Sequence, residues 1–297
     1  MKKTTRFKKL VLDEEILVLP GAYDALSAKI VEQAGFRAVT FGGYGASGSL
    51  LAKPDVSLLT MTEMVQQARY IAEAVEIPLF VDGDTGHGNV TNVARTVREF
   101  ERAGVAGLFI EDQVFPKRCG HMEGKQVIPT EEMIVKIRSA VDARTDRDLT
   151  IMARTDALAV YGIDEAIERG NRYAEAGADI VFIEAPPSVD DMRRVCREVK
   201  APMLANMVEG GKTPILTPGE LQAIGYSIVA YPLSTLYAAA YGVRAAMAVL
   251  FKTGTTAGYA DRMIPFADFN RLVGLEKVRA AETHYYGELF EKSKCGR

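Results

Sequence analysis

Cysteine is scarce in this chain. There are three, Cys119, Cys196 and Cys295, an odd number at irregular spacing in 297 residues. That excludes a disulfide framework. A charge excess is also missing: 36 Lys and Arg stand against 39 Asp and Glu, a net charge of -3, with no long run of one sign. Nothing in that balance suits a nucleic-acid or membrane-surface partner. The basic start, Met1 to Lys9, has no apolar h-region and is not a signal peptide. Apolar stretches read as too short to span a bilayer. There is no G-x-G-x-x-G after the first apolar run, so a dinucleotide fold has little support. Strict repeats and low-complexity tracts are absent. A cytoplasmic globular protein is expected.

What recurs is an alternation of short apolar runs and longer helical patterns. The runs are Ile16–Leu19, Ala38–Phe41, Pro78–Val81, Gly107–Ile110, Leu149–Ala153, Asp179–Ile183, Pro202–Ala205 and Ser227–Tyr231. Continuous hydrophobicity marks strands buried on both faces, as in a parallel sheet. Between them, residues 62–75 place Met64, Val65, Ala68, Ile71, Ala72 and Val75 on one helical face. Thr60 with Glu63 and Thr217 with Glu220 have capping-box spacing, and Gly35, Gly104 and Gly177 sit where helices stop. Eight such units without a break in composition predict one α/β domain over 1–297, a (β/α)8 barrel. A helical extension from about 257 to 297 exceeds what a barrel needs. It is expected to bury Phe266, Phe269 and Leu272 on a partner subunit.

In such a barrel the site lies at the C-terminal strand ends. There the sequence puts Gly42-Gly43-Tyr44-Gly45, Asp82-Gly83-Asp84, Glu111-Asp112, Arg154-Thr155-Asp156, Glu184, Asn206 and Pro232-Leu233-Ser234. Taken singly, an Asp after a strand is an N-cap or turn residue. Together, Asp82, Asp84, Glu111 and Glu184 would converge, and so many like charges need a cation or protons. Oxygen ligands point to a hard ion such as Mg²⁺, with Mn²⁺ a possible substitute. His87, His121 and Cys119 are not at structural zinc spacing. The polar loop Pro116–Lys125 follows the fourth run and suits a mobile lid. Its cations and His121 should lower the pKa of Cys119. The alternative is a solvated loop with an idle thiol. Cys196, in an amphipathic helical pattern, reads as packed.

Asp82-x-Asp84-x-Gly86-x-Gly88, Glu111-Asp112, Lys117-Arg118-Cys119-Gly120-His121 and Ala153-Arg154-Thr155-Asp156 closely resemble the isocitrate lyase/phosphoenolpyruvate mutase superfamily. The likeness runs from Pro20-Gly21-Ala22-Tyr23-Asp24-Ala25 to the C-terminal helices. The Lys-Arg-Cys-Gly-His loop resembles the lyase branch; phosphoenolpyruvate mutases carry Asn in place of the Cys. Residues 206–214 look most like 2,3-dimethylmalate-type lyases, and also like carboxyphosphonoenolpyruvate mutases. The resemblance implies that Asp84 binds Mg²⁺ with help from Asp55, Asp82 and Glu111. It implies that Gly43 and Tyr44 offer N–H groups to a substrate carboxylate and that Arg154 pairs with the substrate. Glu184, Asn206 and His121 would line the pocket, with Lys117, Arg118, Pro232 and Ser234 at the substrate. It further implies helix exchange and a homotetramer. Gly42 departs from the family's Ser or Thr, so one hydroxyl contact is missing.

The expected activity is a Mg²⁺-dependent carbon–carbon lyase acting on a small 2-hydroxy dicarboxylic acid. The 2-hydroxyl loses its proton, the C2–C3 bond breaks, and a 2-oxo acid such as pyruvate forms. Arg154 stabilises the departing enediolate and Cys119 protonates it. The alternatives are a carboxyphosphonoenolpyruvate mutase or other P–C bond enzyme, and a non-catalytic barrel. Met207, Val208, Leu233 and Tyr237 favour an alkyl group at the far end, and hence 2,3-dimethylmalate over isocitrate.

Overall fold

The computed structural model describes residues 1–294, with side chains to residue 287. Cys295 and the side chains of Leu289 and Phe290 lie outside the described residues. Eight parallel strands form: β1 Leu17–Pro20, β2 Val39–Phe41, β3 Leu79–Asp82, β4 Gly107–Glu111, β5 Thr150–Thr155, β6 Ile180–Ile183, β7 Leu204–Asn206 and β8 Ile228–Tyr231. They pair in the orders β2-β3-β4-β5-β6 and β1-β8-β7. Single parallel bridges, Gly21 to Thr40 and Val181 to Met203, join the two arcs and close the barrel.

A strand overlaps each expected run, with ends that differ by at most two residues. The difference matters in β3, β4 and β5, whose ladders continue into polar residues. Glu111 is in register with Arg154, and Asp82 with Phe109. These side chains therefore stand on rigid strand ends. The helix Met61–Ala74 buries Met64, Val65, Ala68, Ile71 and Ala72, and Thr60 and Thr217 form the expected capping boxes. Gly35, Gly104 and Gly177 take positive φ where helices end.

The N-terminal helix Lys3–Val11 has no counterpart in the sequence expectations. Its Phe7 and Val11 are buried among Leu17, Ala38, Phe80, Ala106, Ile180 and Ile228, residues at the starts of strands. Phe7 stacks on Phe80 with ring centroids 5.2 Å apart. Thr5 hydroxyl donates to Asp148, and Lys3 ammonium to the carbonyls of Ala72 and Val75. The helix thus seals the barrel floor.

Two compact units divide the chain, 1–238 and 239–297. The barrel lies in the first. The second starts ahead of residue 257 and ends in the helices Phe266–Leu272 and Leu275–Lys294. The helix Ser234–Thr253 has a mean hydropathy of 1.2 and is long and apolar enough, by length and composition, to cross a membrane. That corrects the expectation that no stretch is. Small residues (Ala238–Ala240, Ala245, Ala246) lie between its larger apolar ones, so no single conspicuous run marks it. Its Tyr241, Val243, Met247 and Phe251 are exposed, as are Phe266 and Phe269, whereas Leu272 is buried.

Candidate active site

A cavity of about 90 Å³ opens at the C-terminal ends of the strands. Pockets for drug-sized ligands run to roughly 300–1,000 Å³, so this one suits a smaller molecule. Barrel-interior side chains form its base: Phe80, Phe109, Met152, Phe182 and Leu204. Sequence reading missed these residues. Their signal was the two-residue period of the strands, which a run buried on both faces hides. Phe109 and Phe182 carry the Arg154 guanidinium, whose central carbon lies 5.8 and 5.2 Å from their ring centroids.

One wall is acidic. Asp82 accepts from the N–H of Gly43 at 2.9 Å and from that of Asp84 at 2.8 Å. The Gly43 N–H is therefore held by a carboxylate of the chain itself. Asp84 adopts φ 49°, a left-handed conformation that the tight turn after β3 imposes. Lys117, buried, lies 2.9 Å from Asp55 Oδ2 and 2.8 Å from Asp84 Oδ1. The Asp84 contact is an ion pair without hydrogen-bond geometry, and Asp84 Oδ1, both Glu111 oxygens and His87 Nε2 make no hydrogen bond among the described residues. Burial, with Asp82 and Asp55 adding to it against Lys117, raises Asp84 to about 6. Burial also holds Glu111 well above the carboxylate range, against the pull of Arg154. For Lys117, burial pulls down, but Asp84, Asp82, Glu111 and Asp55 together push it well up.

The opposite wall centres on Arg154. It contacts Asp156 through Nε at 2.9 Å and Nη2 at 3.2 Å, Glu184 at 3.1 Å and Glu111 at 3.3 Å. Asn206 Nδ2 lies 3.5 Å from Glu184 Oε1. His121 Nδ1 accepts from the Lys212 N–H at 3.1 Å, so a neutral ring carries its proton on Nε2, 3.5 Å from Glu184 Oε1. Burial lowers the His121 pKa in spite of Glu184, which favours that neutral form.

The loop 116–125 packs down over the cavity. Cys119, Gly120 and His121 all line it. A Cβ at Gly120 would run into Arg154 and Glu184, so glycine is needed for this approach. Burial pushes the Cys119 thiol up, with Glu184 and Asp55 adding, against the His121 N–H and Arg154. The expected lowering does not occur, because the loop cations are engaged elsewhere. Lys117 pairs with Asp55 and Asp84, Lys125 pairs with Asp156, and Arg118 is exposed and donates to the Glu123 carbonyl. A thiol that keeps its proton is a donor, not a nucleophile.

Of the site residues read from sequence, Gly43, Tyr44, Asp55, Asp82, Cys119, His121, Arg154, Glu184, Asn206 and Pro232 line the cavity. Asp84, Glu111 and Lys117 do not line it but touch its surroundings, Lys117 through Asp55 and Asp84 and Glu111 through Arg154. Arg118 and Ser234 do not line it, and Ser234 donates to Glu209 instead. A Cβ at Gly42 would meet nothing within 4 Å, so the backbone leaves open space there.

Parallel barrel, acidic strand ends and thiol-bearing loop define a class. The chain belongs to the phosphoenolpyruvate phosphomutase family, whose profile matches residues 7–251. It is 50% identical over 285 residues to 2,3-dimethylmalate lyase of Eubacterium barkeri, covering 96% of this chain and 99% of that one. Over 285 residues it is 46% identical to the chloroplastic carboxyvinyl-carboxyphosphonate phosphorylmutase of Arabidopsis thaliana (95% and 84% covered). It is 44% identical over 267 residues to 2-methylisocitrate lyase of Aeropyrum pernix (90% and 86% covered). A solved 2,3-dimethylmalate lyase, a member of the PEP mutase/isocitrate lyase superfamily, superposes with TM-score 0.90 at 33% identity, with 96% of each chain covered. A phosphonopyruvate hydrolase solved with oxalate and Mg²⁺ superposes with TM-score 0.88 at 32% identity, covering 96% of this chain and all of that one (100%).

Proposed function

We propose that this chain is a Mg²⁺-dependent lyase that breaks the C2–C3 bond of an alkylated 2-hydroxy dicarboxylate, giving a 2-oxo acid and a carboxylic acid. One observation carries the reading: a protonated thiol, Cys119, faces a small cavity that also holds Arg154 and an acidic wall.

No group of three or more His, Cys, Asp and Glu among the described residues is arranged to hold a metal. Magnesium needs only one or two carboxylates, because it keeps waters and recruits substrate oxygens. Asp84 Oδ1 and both Glu111 oxygens make no hydrogen bond among the described residues, and their ion pairs with Lys117 and Arg154 leave them lone pairs that fit that demand. Asp84 and Glu111 would hold the ion, and Asp82 and Asp55 would support them. Mn²⁺ would fit the same oxygens. When bound, the ion supplies Lewis acidity that lowers the pKa of the substrate hydroxyl.

Arg154 would bind a substrate carboxylate and stabilise the charge of the departing enediolate. Two rings below and three carboxylates around it fix its plane. Glu184, Asn206 and His121 orient one another beside Arg154. The hydroxyl proton would pass to water before the loop closes, Cys119 Sγ–H delivers its proton to the enediolate carbon while loop 116–125 excludes water, and the thiolate regains a proton from solvent when the products leave. The test is incubation with Mg²⁺ and a panel of substituted malates and isocitrates, scored for pyruvate and glyoxylate. No cleavage of any member would end the reading. The 46% identity to a phosphorylmutase supports a second reading, chemistry at a P–C bond. Turnover of a phosphonate substrate in its place would establish that one.

We also read the exposed apolar side chains on Ser234–Thr253 and Phe266–Leu272 as subunit-facing, in a cytoplasmic homotetramer. A soluble monomer in light scattering at micromolar concentration would exclude it.

A further inference from the structure

Lys125 and Asp156 take no part in the proposed chemistry beyond their pairing with each other and with Arg154. Yet these two join the loop to the barrel. Lys125 Nζ donates to the Gly120 carbonyl, next to Cys119, and to Asp156 Oδ1 at 2.8 Å. Its side chain is 2% exposed and that of Asp156 0%. The same Asp156 holds Arg154 through both oxygens, at 2.9 and 3.2 Å. Asp156 is itself fixed from below: its N–H donates to Asp112 Oδ1 at 2.9 Å. Asp112 Oδ2 accepts from Thr155 at 2.7 Å, Tyr173 at 2.9 Å and Arg169 at 3.1 Å. A buried polar chain thus runs from the barrel wall, through one carboxylate, to both the substrate-facing guanidinium and the loop backbone beside the thiol.

We infer that Lys125 and Asp156 are positioning residues that latch the loop over the cavity, so that the Cys119 thiol and the Arg154 guanidinium are set against the same substrate. The inference rests on the lyase reading for what the thiol and guanidinium do, but not for the latch itself. Burial would raise Asp156, but Arg154 and Lys125 hold it at about 2, so it is ionised across the neutral range. Asp156 thus bridges two cations on different elements, Lys125 on the loop and Arg154 on β5. If Lys125 is lost, the loop loses its tie at Gly120, while Arg154 keeps its carboxylate.

The test reads the loop without turnover. Iodoacetamide labelling of Cys119 is followed by mass spectrometry in the wild type, Lys125→Met and Lys125→Arg. It is repeated one pH unit higher, to separate access from thiol ionisation. Labelling of a protected group follows its opening equilibrium, so Lys125→Met should label at least about tenfold faster at both pH values. Lys125→Arg, which keeps the ion pair, should stay within about threefold of wild type. With a cleaved substrate in hand, Lys125→Met should lower kcat by about 10²-fold and leave KM within about threefold, as for a residue acting mainly in the transition state. Unchanged labelling in Lys125→Met overturns the latch. If that variant does not fold, Lys125→Met with Asp156→Asn removes both charges together and carries the same labelling test. Failure of all substrates would sink the lyase reading and leave the labelling result standing.

Discussion

The two ends of the barrel are built on opposite principles. At the floor, Phe7, Val11, Leu17, Phe80 and Ile228 fill the interior with apolar contacts. At the rim, Asp55, Asp82, Asp84, Glu111, Asp156 and Glu184 are buried with fewer cations than carboxylates around them. Among the described residues, seven buried side-chain polar atoms lack a hydrogen-bond partner, and five of them belong to Asp84, His87, Glu111 and His121 at the rim. Unpartnered buried atoms cost stability, so their concentration at one end marks where stability is given up for function. The floor holds the fold and the rim holds the chemistry. That separation can be broken by single substitutions.

The largest effect is expected at Asp84. Asp84→Ala should lower kcat/KM by at least about 10³-fold, because Lewis-acid assistance is worth several kcal/mol. The fold should persist, since Lys117 keeps Asp55 as its partner, with a modest fall in melting temperature because alanine is strained at the left-handed φ of 49°. Chelation by EDTA should give the same loss reversibly. Full activity without metal would refute both roles. In metal-free protein, the unfolded chain loses the Asp84 proton first, since the folded group titrates at about 6. Its contribution to stability therefore falls as pH rises from near 4 to 6, and Asp84→Asn should remove that slope in urea titrations. Next comes Cys119→Ser, with an expected kcat loss of about 10²–10⁴-fold and little change in KM. Wild-type turnover in that variant would leave the thiol a bystander.

The floor should behave in the opposite sense. Phe7→Ala removes a fully buried ring stacked on Phe80 and should cost about 3–5 kcal/mol of stability, measured by urea unfolding. Folded Phe7→Ala protein should keep its kcat within about twofold, as the rim is untouched. A large loss of kcat at unchanged fold would show that floor and rim are coupled through Phe80, which touches both Phe7 and the cavity.

How far the sequence speaks also differs between the two ends. The eight strands were legible because parallel barrel strands are continuous apolar runs. The charged strand ends were legible because they follow those runs directly. The floor plug was not. Phe7 and Val11 sit in a helix of nine residues with Lys3, Lys8 and Lys9 beside them, and a basic start reads as surface. Asp55 lies on a loop between helices, with no strand to announce it, and came only through family resemblance. Lys125 and Asp112 act through contacts with Asp156 and Arg169, 31 and 57 residues away in sequence. The Cys119 environment was misread for the same reason. Counting loop cations assumes that they face the thiol, and the tertiary structure turns Lys117, Arg118 and Lys125 to other partners.

The smallest expected effect concerns which acid is cleaved. A tricarboxylate such as 2-methylisocitrate brings a third carboxylate, and burying it requires a cation or several donors. Among the described residues Arg154 is the only Lys or Arg that lines the cavity, and the proposed mechanism engages it at the reacting end. Lys212 points away from that role: its ammonium is 3.9 Å from Glu123 and its side chain is 44% exposed. His121 is held toward its neutral form. The far wall is instead Val208, Pro232 and Leu233, with open space at Gly42. Met207 does not reach it, being packed in the core. An alkyl group fits these surfaces without an unpaired charge. 2,3-Dimethylmalate should therefore exceed 2-methylisocitrate in kcat/KM by about tenfold, or roughly 1.4 kcal/mol. Side-by-side kinetics with isocitrate as the third substrate provide the measurement. If 2-methylisocitrate wins by that margin, Lys212 must swing from Glu123 to the third carboxylate. Lys212→Ala would then lose the preference, and the alkyl reading of the far wall would fall with it.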